Sequence, residues 1–157
     1  MNRILAKVII ISIVFGLTSC SYSPIFSEKN YNFEISEIIF KGEKEINKII
    51  KEKFNRITNN QNSKKKYKLI INSKEERKIV SKDSKGDPLK FELIITVDYE
   101  ISQNKDLLLK ATIEKNNIFN NNSDLFKLEQ NEKIIIENLS GNISNNIISS
   151  IINLDDN

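Results

Sequence analysis

The clearest pattern in the chain lies between Leu89 and Ser102. Leu89, Phe91, Leu93, Ile95, Val97, Tyr99 and Ile101 take every second place, with Lys90, Glu92, Thr96, Asp98, Glu100 and Ser102 in most of the places between. A period of two held this long predicts a strand buried on one face. After the turn residues Gln103 to Asp106, Leu107, Leu109, Ala111 and Ile113 alternate against Lys110, Thr112 and Glu114, which predicts a further strand running toward Phe119. Upstream, Tyr67, Leu69 and Ile71 open a strand that reaches about Val80. Beyond Asn72 it becomes charged, so its far half is expected to run past the core into solvent. Ser81 to Pro88 is a turn, in which Gly86 can take a positive φ and Pro88 disfavours helix before it. These three strands form an antiparallel meander.

The remaining segments change period. Phe33 to Phe40 is a strand whose apolar phase shifts between Ile35 and Ile38, implying a bulge or burial on both faces. Ile46, Ile49, Ile50, Phe54 and Ile57 fall on one face of a helix from Glu43 to Thr58. Asn116 to Asp124 reads as a polar loop. From about Leu125 the spacing of Ile136, Leu139, Ile143, Ile147 and Ile151 is helical, with Asp124 or Asn131 as the capping residue. The expected fold is α+β: a four-stranded, mostly antiparallel sheet with two helices packed on one face, in the order β-α-β-β-β-α. The other sheet face is left for water or a partner.

The first residues change the account of where this domain works. Met1 to Lys7 is a basic head carrying Arg3 and Lys7, Val8 to Gly16 is a short apolar run, and Leu17-Thr18-Ser19-Cys20 follows. Head and run are the parts of a secretory signal, and the run is shorter than the roughly 20 apolar residues of a membrane-spanning helix. The tetrapeptide ending at Cys20 resembles a bacterial lipobox, which implies cleavage before Cys20 and lipidation of it; an ordinary signal or an anchor with a buried cysteine is the other reading. The chain then divides into a signal peptide at 1–19, a lipidated N-terminus and tether at 20–32, and a single domain at 33–157. The tether is polar and broken by Pro24, and Pro24-Ile25-Phe26 could dock on the domain.

Charge is uneven along that domain. Residues 64–90 carry 10 basic and 4 acidic side chains, whereas residues 91–157 carry 5 basic and 11 acidic. Antiparallel pairing gathers Arg77, Lys78, Lys82, Lys85 and Lys90 near one hairpin tip. A basic tip on an exported protein suits phosphorylated lipid or an acidic protein surface, and nucleic acid is not expected as a partner. The alternative is a solvated lysine-rich loop. The chain has no histidine and four glycines, which leaves out the usual catalytic triads, most catalytic zinc sites and glycine-rich phosphate loops. The carboxylate pairs Glu75-Glu76 and Asp98/Glu100 read as solvated strand faces. No enzyme activity, metal or cofactor is expected.

The lipobox cysteine, short tether and β-α-β-β-β-α order together resemble the LPS-assembly lipoprotein LptE family. Ser84-Lys85-Gly86-Asp87-Pro88-Leu89-Lys90-Phe91 and the strand after it are similar to that family's hairpin, and Ile118-Phe119-Asn120-Asn121-Asn122 is similar to its loop before the last helix. The resemblance implies an outer-membrane lipoprotein on the periplasmic side that plugs the LptD β-barrel, assists its assembly and helps deliver lipopolysaccharide to the outer leaflet. It also implies lipopolysaccharide contacts at Lys82, Lys85 and Lys127, with Ser84 standing where some members have a tip arginine. An adaptor lipoprotein that binds another anionic envelope component is the competing reading.

Overall fold

The computed structural model describes residues 33–56, 63 and 65–155; Cys20, the signal segment, the tether with its Pro24-Ile25-Phe26, Ile57 and Lys64 lie outside the described residues. Four strands, β1 (Phe33–Gly42), β2 (Lys65–Lys82), β3 (Pro88–Gln103) and β4 (Asp106–Asn120), form one sheet in that spatial order. Helix α1 (Lys44–Asn55) lies between β1 and β2 in sequence, and α2 (Leu125–Asp155) follows β4. The β2-β3-β4 meander is antiparallel as expected, while β1 pairs with β2 in parallel, so the sheet is mixed. A parallel pair cannot be closed by a tight turn, and the segment containing α1 supplies the crossover.

The alternation in β2 and β3 turns Tyr67, Leu69, Ile71, Leu93, Ile95, Val97, Tyr99 and Ile101 to one face, where all are buried. Both helices cover that face. Helix α1 buries Ile46, Ile50 and Phe54, and α2 buries a stripe from Leu128 to Ile151 in the same cluster. The isoleucine content of α2 does not favour an isolated helix, so packing on the sheet holds it. Asp124 is its cap: the Lys127 backbone N–H donates to Asp124 Oδ1 at 3.3 Å. Gly141 of α2 faces Lys53 of α1, whose Cε lies 3.9 Å from where a Cβ would stand, and the buried Ser144 Oγ donates back to the Ser140 carbonyl at 2.7 Å.

Three local features set register. In β1 the pairing jumps from Ile35–Tyr67 to Glu37–Lys68, leaving Ser36 as the extra residue, whose Oγ donates to the Tyr67 carbonyl at 3.0 Å. This is the bulge that the phase shift predicts; it returns Ile38 and Phe40 to the core side. Between β3 and β4 both central turn residues take positive φ, Asn104 at 50° and Lys105 at 78°, as a two-residue hairpin loop requires. Gly42, with φ of 86°, closes β1 against Ser73 of β2.

Strand β4 corrects the sequence reading at its far end. Asn116 to Asn120 continue the ladder with β3 through Asn116–Ile94, Phe119–Phe91 and Asn120–Lys90, so the loop shrinks to Asn121–Asp124. The asparagines are tolerated in a strand because they lie on an exposed edge, where Asn116 Nδ2 donates to Glu92 Oε1 at 2.6 Å.

Candidate functional site

The far ends of β2 and β3 carry the basic hairpin. Its turn is built on Asp83, whose Oδ1 accepts from the backbone N–H groups of Lys85 and Asp87, both at 2.8 Å. The Asp83 N–H donates to the Asp87 carbonyl at 2.9 Å, and Gly86, at φ 92°, donates to the Asp83 carbonyl at 3.1 Å. A side chain that accepts from two backbone amides fixes the loop without tertiary contacts. Ser84 and Lys85 are thereby held at the apex. Lys82, Lys85 and Lys90 are exposed, and among the described residues none of the three has an ion-pair partner.

The rest of the predicted basic set is dispersed. Lys65 pairs with Asp155, Lys66 with Glu34 and Lys68 with Glu37, at the opposite end of β2. Lys78 pairs with Glu76 at 3.4 Å. Arg77 leaves the cluster altogether. It lies on the helix side, 3.8 Å above the Phe91 ring, and donates to Glu132 Oε2 of α2 at 3.2 Å. That guanidinium is a packing element that closes the core below the hairpin.

Lys127 is at the same end of the fold. The Asn121 N–H and Nδ2 donate to the Leu89 and Pro88 carbonyls, each at 2.8 Å, clamping the short loop before α2 onto the base of the hairpin. Lys127 follows in the first turn of α2 and is held by Asp124 at 3.4 Å. It also lines a groove of about 550 Å³ between the end of β4 and α2, together with Asn117, Phe119, Asn131, Ile134 and Asn138. Lys82 and Lys85 thus share the hairpin, while Lys127 faces a separate groove with its charge already partnered.

Sequence reasoning missed an apolar component at this end. Leu125 and Phe126 are 70% and 66% exposed, and Ile79, Val80 and Leu89 on the hairpin strands are exposed as well. The signal was present in Ile79-Val80, an apolar pair inside a charged stretch, and in Leu125-Phe126, an apolar pair directly after the polar loop. Lysines and exposed apolar side chains at one end of the fold suit a ligand with both an anionic head and a hydrocarbon part.

The outer sheet face is polar and internally paired. Thr112 donates to Asp98 at 2.6 Å, Lys110 to Glu100 at 2.7 Å and Thr96 to Glu114 at 3.4 Å. The bond to Glu100 pushes the Lys110 ammonium pKa above its ordinary value. A shallow depression of about 470 Å³ lies here, bordered by Lys41, Asn72, Asp98 and Thr112. Glu75 and Glu76, adjacent on one strand, point to opposite faces.

Glu75 is on the helix side, where burial first and then the charges of Glu132, Glu43 and Glu45 raise its carboxyl pKa. A carboxyl raised on folding favours the folded state while protonated, and this contribution is lost as pH rises from the unfolded pKa through the folded one. Glu75→Gln is therefore expected to raise the urea midpoint at neutral pH and to leave it nearly unchanged at acidic pH. Equal midpoint shifts at both would contradict the assignment.

No family model matches the sequence, and no curated protein matches it. Solved structures do match in fold. The chain is similar to the crystal structure of rare lipoprotein B from Shewanella oneidensis, at 16% identity and a TM-score of 0.55 over 76% of this chain and 98% of that one. It is likewise similar to the solution structure of an uncharacterized lipoprotein B from Nitrosomonas europaea, at 12% identity and a TM-score of 0.55 over 80% and 88% of the two chains. At these identities the likeness concerns the fold alone.

Proposed function

We propose that the chain is an outer-membrane lipoprotein, anchored through Cys20 on the periplasmic side, that plugs the LptD β-barrel, assists its assembly and helps deliver lipopolysaccharide to the outer leaflet. The observation that carries the lipid part is the hairpin end. Among the described residues Lys82 and Lys85 have no ion-pair partner and sit on a turn held by Asp83, and Leu89, Leu125 and Phe126 are exposed at the same end of the fold. Lipid A presents phosphates on a body of acyl chains, and this end offers ammonium groups and apolar side chains together. The lipobox pattern before Cys20 and the fold likeness to structures called lipoproteins support the anchor. The polar, internally bonded outer sheet face suits a wall lined with polar side chains.

Reversal of charge with Lys82→Glu and Lys85→Glu is expected to weaken binding of purified lipopolysaccharide by about tenfold or more, since each lost charge-assisted bond is worth roughly 1.5–3 kcal/mol. Far-ultraviolet circular dichroism should not change, because both side chains are exposed. Undiminished binding would remove the hairpin from the site. The barrel partner is tested separately: the lipidated chain, extracted in mild detergent, should co-purify with a large outer-membrane β-barrel, and migration alone would reject that part of the reading.

A further inference from the structure

The groove that Lys127 borders differs in chemistry from the hairpin. Its helix wall is a stripe on α2, where Lys127, Asn131, Ile134 and Asn138 recur at the spacing of one helix face. Its sheet wall is the end of β4. Asn117 and Phe119 stand opposite Leu93 and Phe91, on the helix side, and Ile118 between them lines the rim. Ile118 and Ile134 are 57% and 55% exposed. The side chains of Asn117, Asn131 and Asn138 are exposed, and among the described residues none of the three amides has a hydrogen-bond partner. The end of the groove nearest the hairpin is fixed, because Asn121, which also lines it, is bound to the Pro88 and Leu89 carbonyls.

We propose that this groove is a binding site for a neutral oligosaccharide. A side-chain amide carries a donor and an acceptor side by side, and neighbouring sugar hydroxyls offer the converse pair. Amides on both walls hold the sugar from two sides, and Ile118 and Ile134 cover the C–H face of a ring. The volume of about 550 Å³ falls within the roughly 300–1,000 Å³ of small-ligand clefts.

Other occupants fit less well. A phosphate meets no free cation, because the one lysine lining the groove is paired with Asp124. An acyl chain would strip water from three amides and return no hydrogen bond, which is unfavourable. A strand added along β4 meets Lys110 and Lys115, cations of the kind that protect sheet edges. The groove thus complements the part of a glycolipid that the hairpin does not. The source of the sugar rests on the lipid reading above: the phosphates of lipopolysaccharide are held at Lys82 and Lys85, its neutral sugars lie in the groove, and Asn121 joins the two parts. A free oligosaccharide is the other source of the same chemistry.

Three probes added to the full chain test this: complete lipopolysaccharide, its lipid A alone, and the oligosaccharide that mild acid releases from it. Asn131→Ala with Asn138→Ala should weaken binding of complete lipopolysaccharide about tenfold, for two lost hydrogen bonds, and leave lipid A binding unchanged. Both positions are exposed on a helix, where alanine is favoured, so the fold is kept. Lys82→Glu with Lys85→Glu should weaken both lipids alike. The released oligosaccharide should shift the side-chain amide resonances of Asn117, Asn131 and Asn138 in NMR spectra of the native chain. Shifted resonances in a chain that binds neither lipid would support the groove, make a free oligosaccharide its ligand and reject the lipid reading alone. Unshifted resonances would overturn the groove whatever the lipids do. So would alanine variants that bind complete lipopolysaccharide as the native chain does, or that lose lipid A to the same extent.

Discussion

Gly42→Ala is expected to lower the unfolding free energy by roughly 2–5 kcal/mol, as the sum of backbone strain and overpacking. A Cβ at this position would lie 1.8 Å from the Ser73 carbonyl oxygen, and the backbone φ of 86° already disfavours any side chain. Ser73 cannot move aside cheaply. Its carbonyl accepts from the Glu43 N–H at 3.2 Å, and its buried hydroxyl lies 2.9 Å from Asn47 Oδ1. The Asn47 amide in turn donates to the Lys41 carbonyl at 3.0 Å. One small residue therefore joins the end of β1, the start of α1 and the middle of β2. Gly86→Ala is the control: its φ is 92°, but nothing lies within 4 Å of the added carbon, so only the conformational cost of about 1–2 kcal/mol should appear. Urea unfolding of the two variants separates strain from contact; equal losses would show that the approach to Ser73 costs nothing.

Phe54→Ala is expected to cost about 3–5 kcal/mol. Helix α1 has 12 residues, too few to persist in water unaided, and its buried side chains are Ile46, Ile50 and Phe54. Phe54 is fully buried in the last turn, so its removal opens a cavity at the last buried side chain of the described helix. Amide exchange should show α1 losing protection ahead of β2 and β3. Uniform loss across the domain would mean that α1 and the sheet open as one unit.

The sequence made legible what a single period can encode. Leu89 to Ser102 alternates with Ile94 as the one apolar residue in an outward place, and the strand is where the alternation puts it. The phase slip in β1 marks the Ser36 bulge because a bulge is a change of phase. Where residue type competes with pairing, reading by composition goes astray. Asn116 and Asn117 look like loop residues, yet cross-strand bonds keep them in β4. Arg77 looks like one more cation in the hairpin, but its odd-numbered place beside Tyr67, Leu69 and Ile71 turns it to the helix side, onto Phe91 and Glu132. For the candidate site, Lys82 and Lys85 were visible as charges near a glycine. The exposed Leu125 and Phe126 were not, because exposure is a property of tertiary packing and not of residue type.

Helix α2 packs on β3 and β4, and its apolar stripe is what covers them. This places a demand on synthesis. Four strands can emerge and pair, through the α1 crossover and two short turns, while the apolar face formed by Phe91, Leu93, Ile95 and Val97 lacks α2. Only the 31 residues of α2, the last described element to be made, can close it. Through that interval the nascent chain presents a greasy sheet to every chaperone and every other nascent copy, and its solubility rests on how soon its tail arrives.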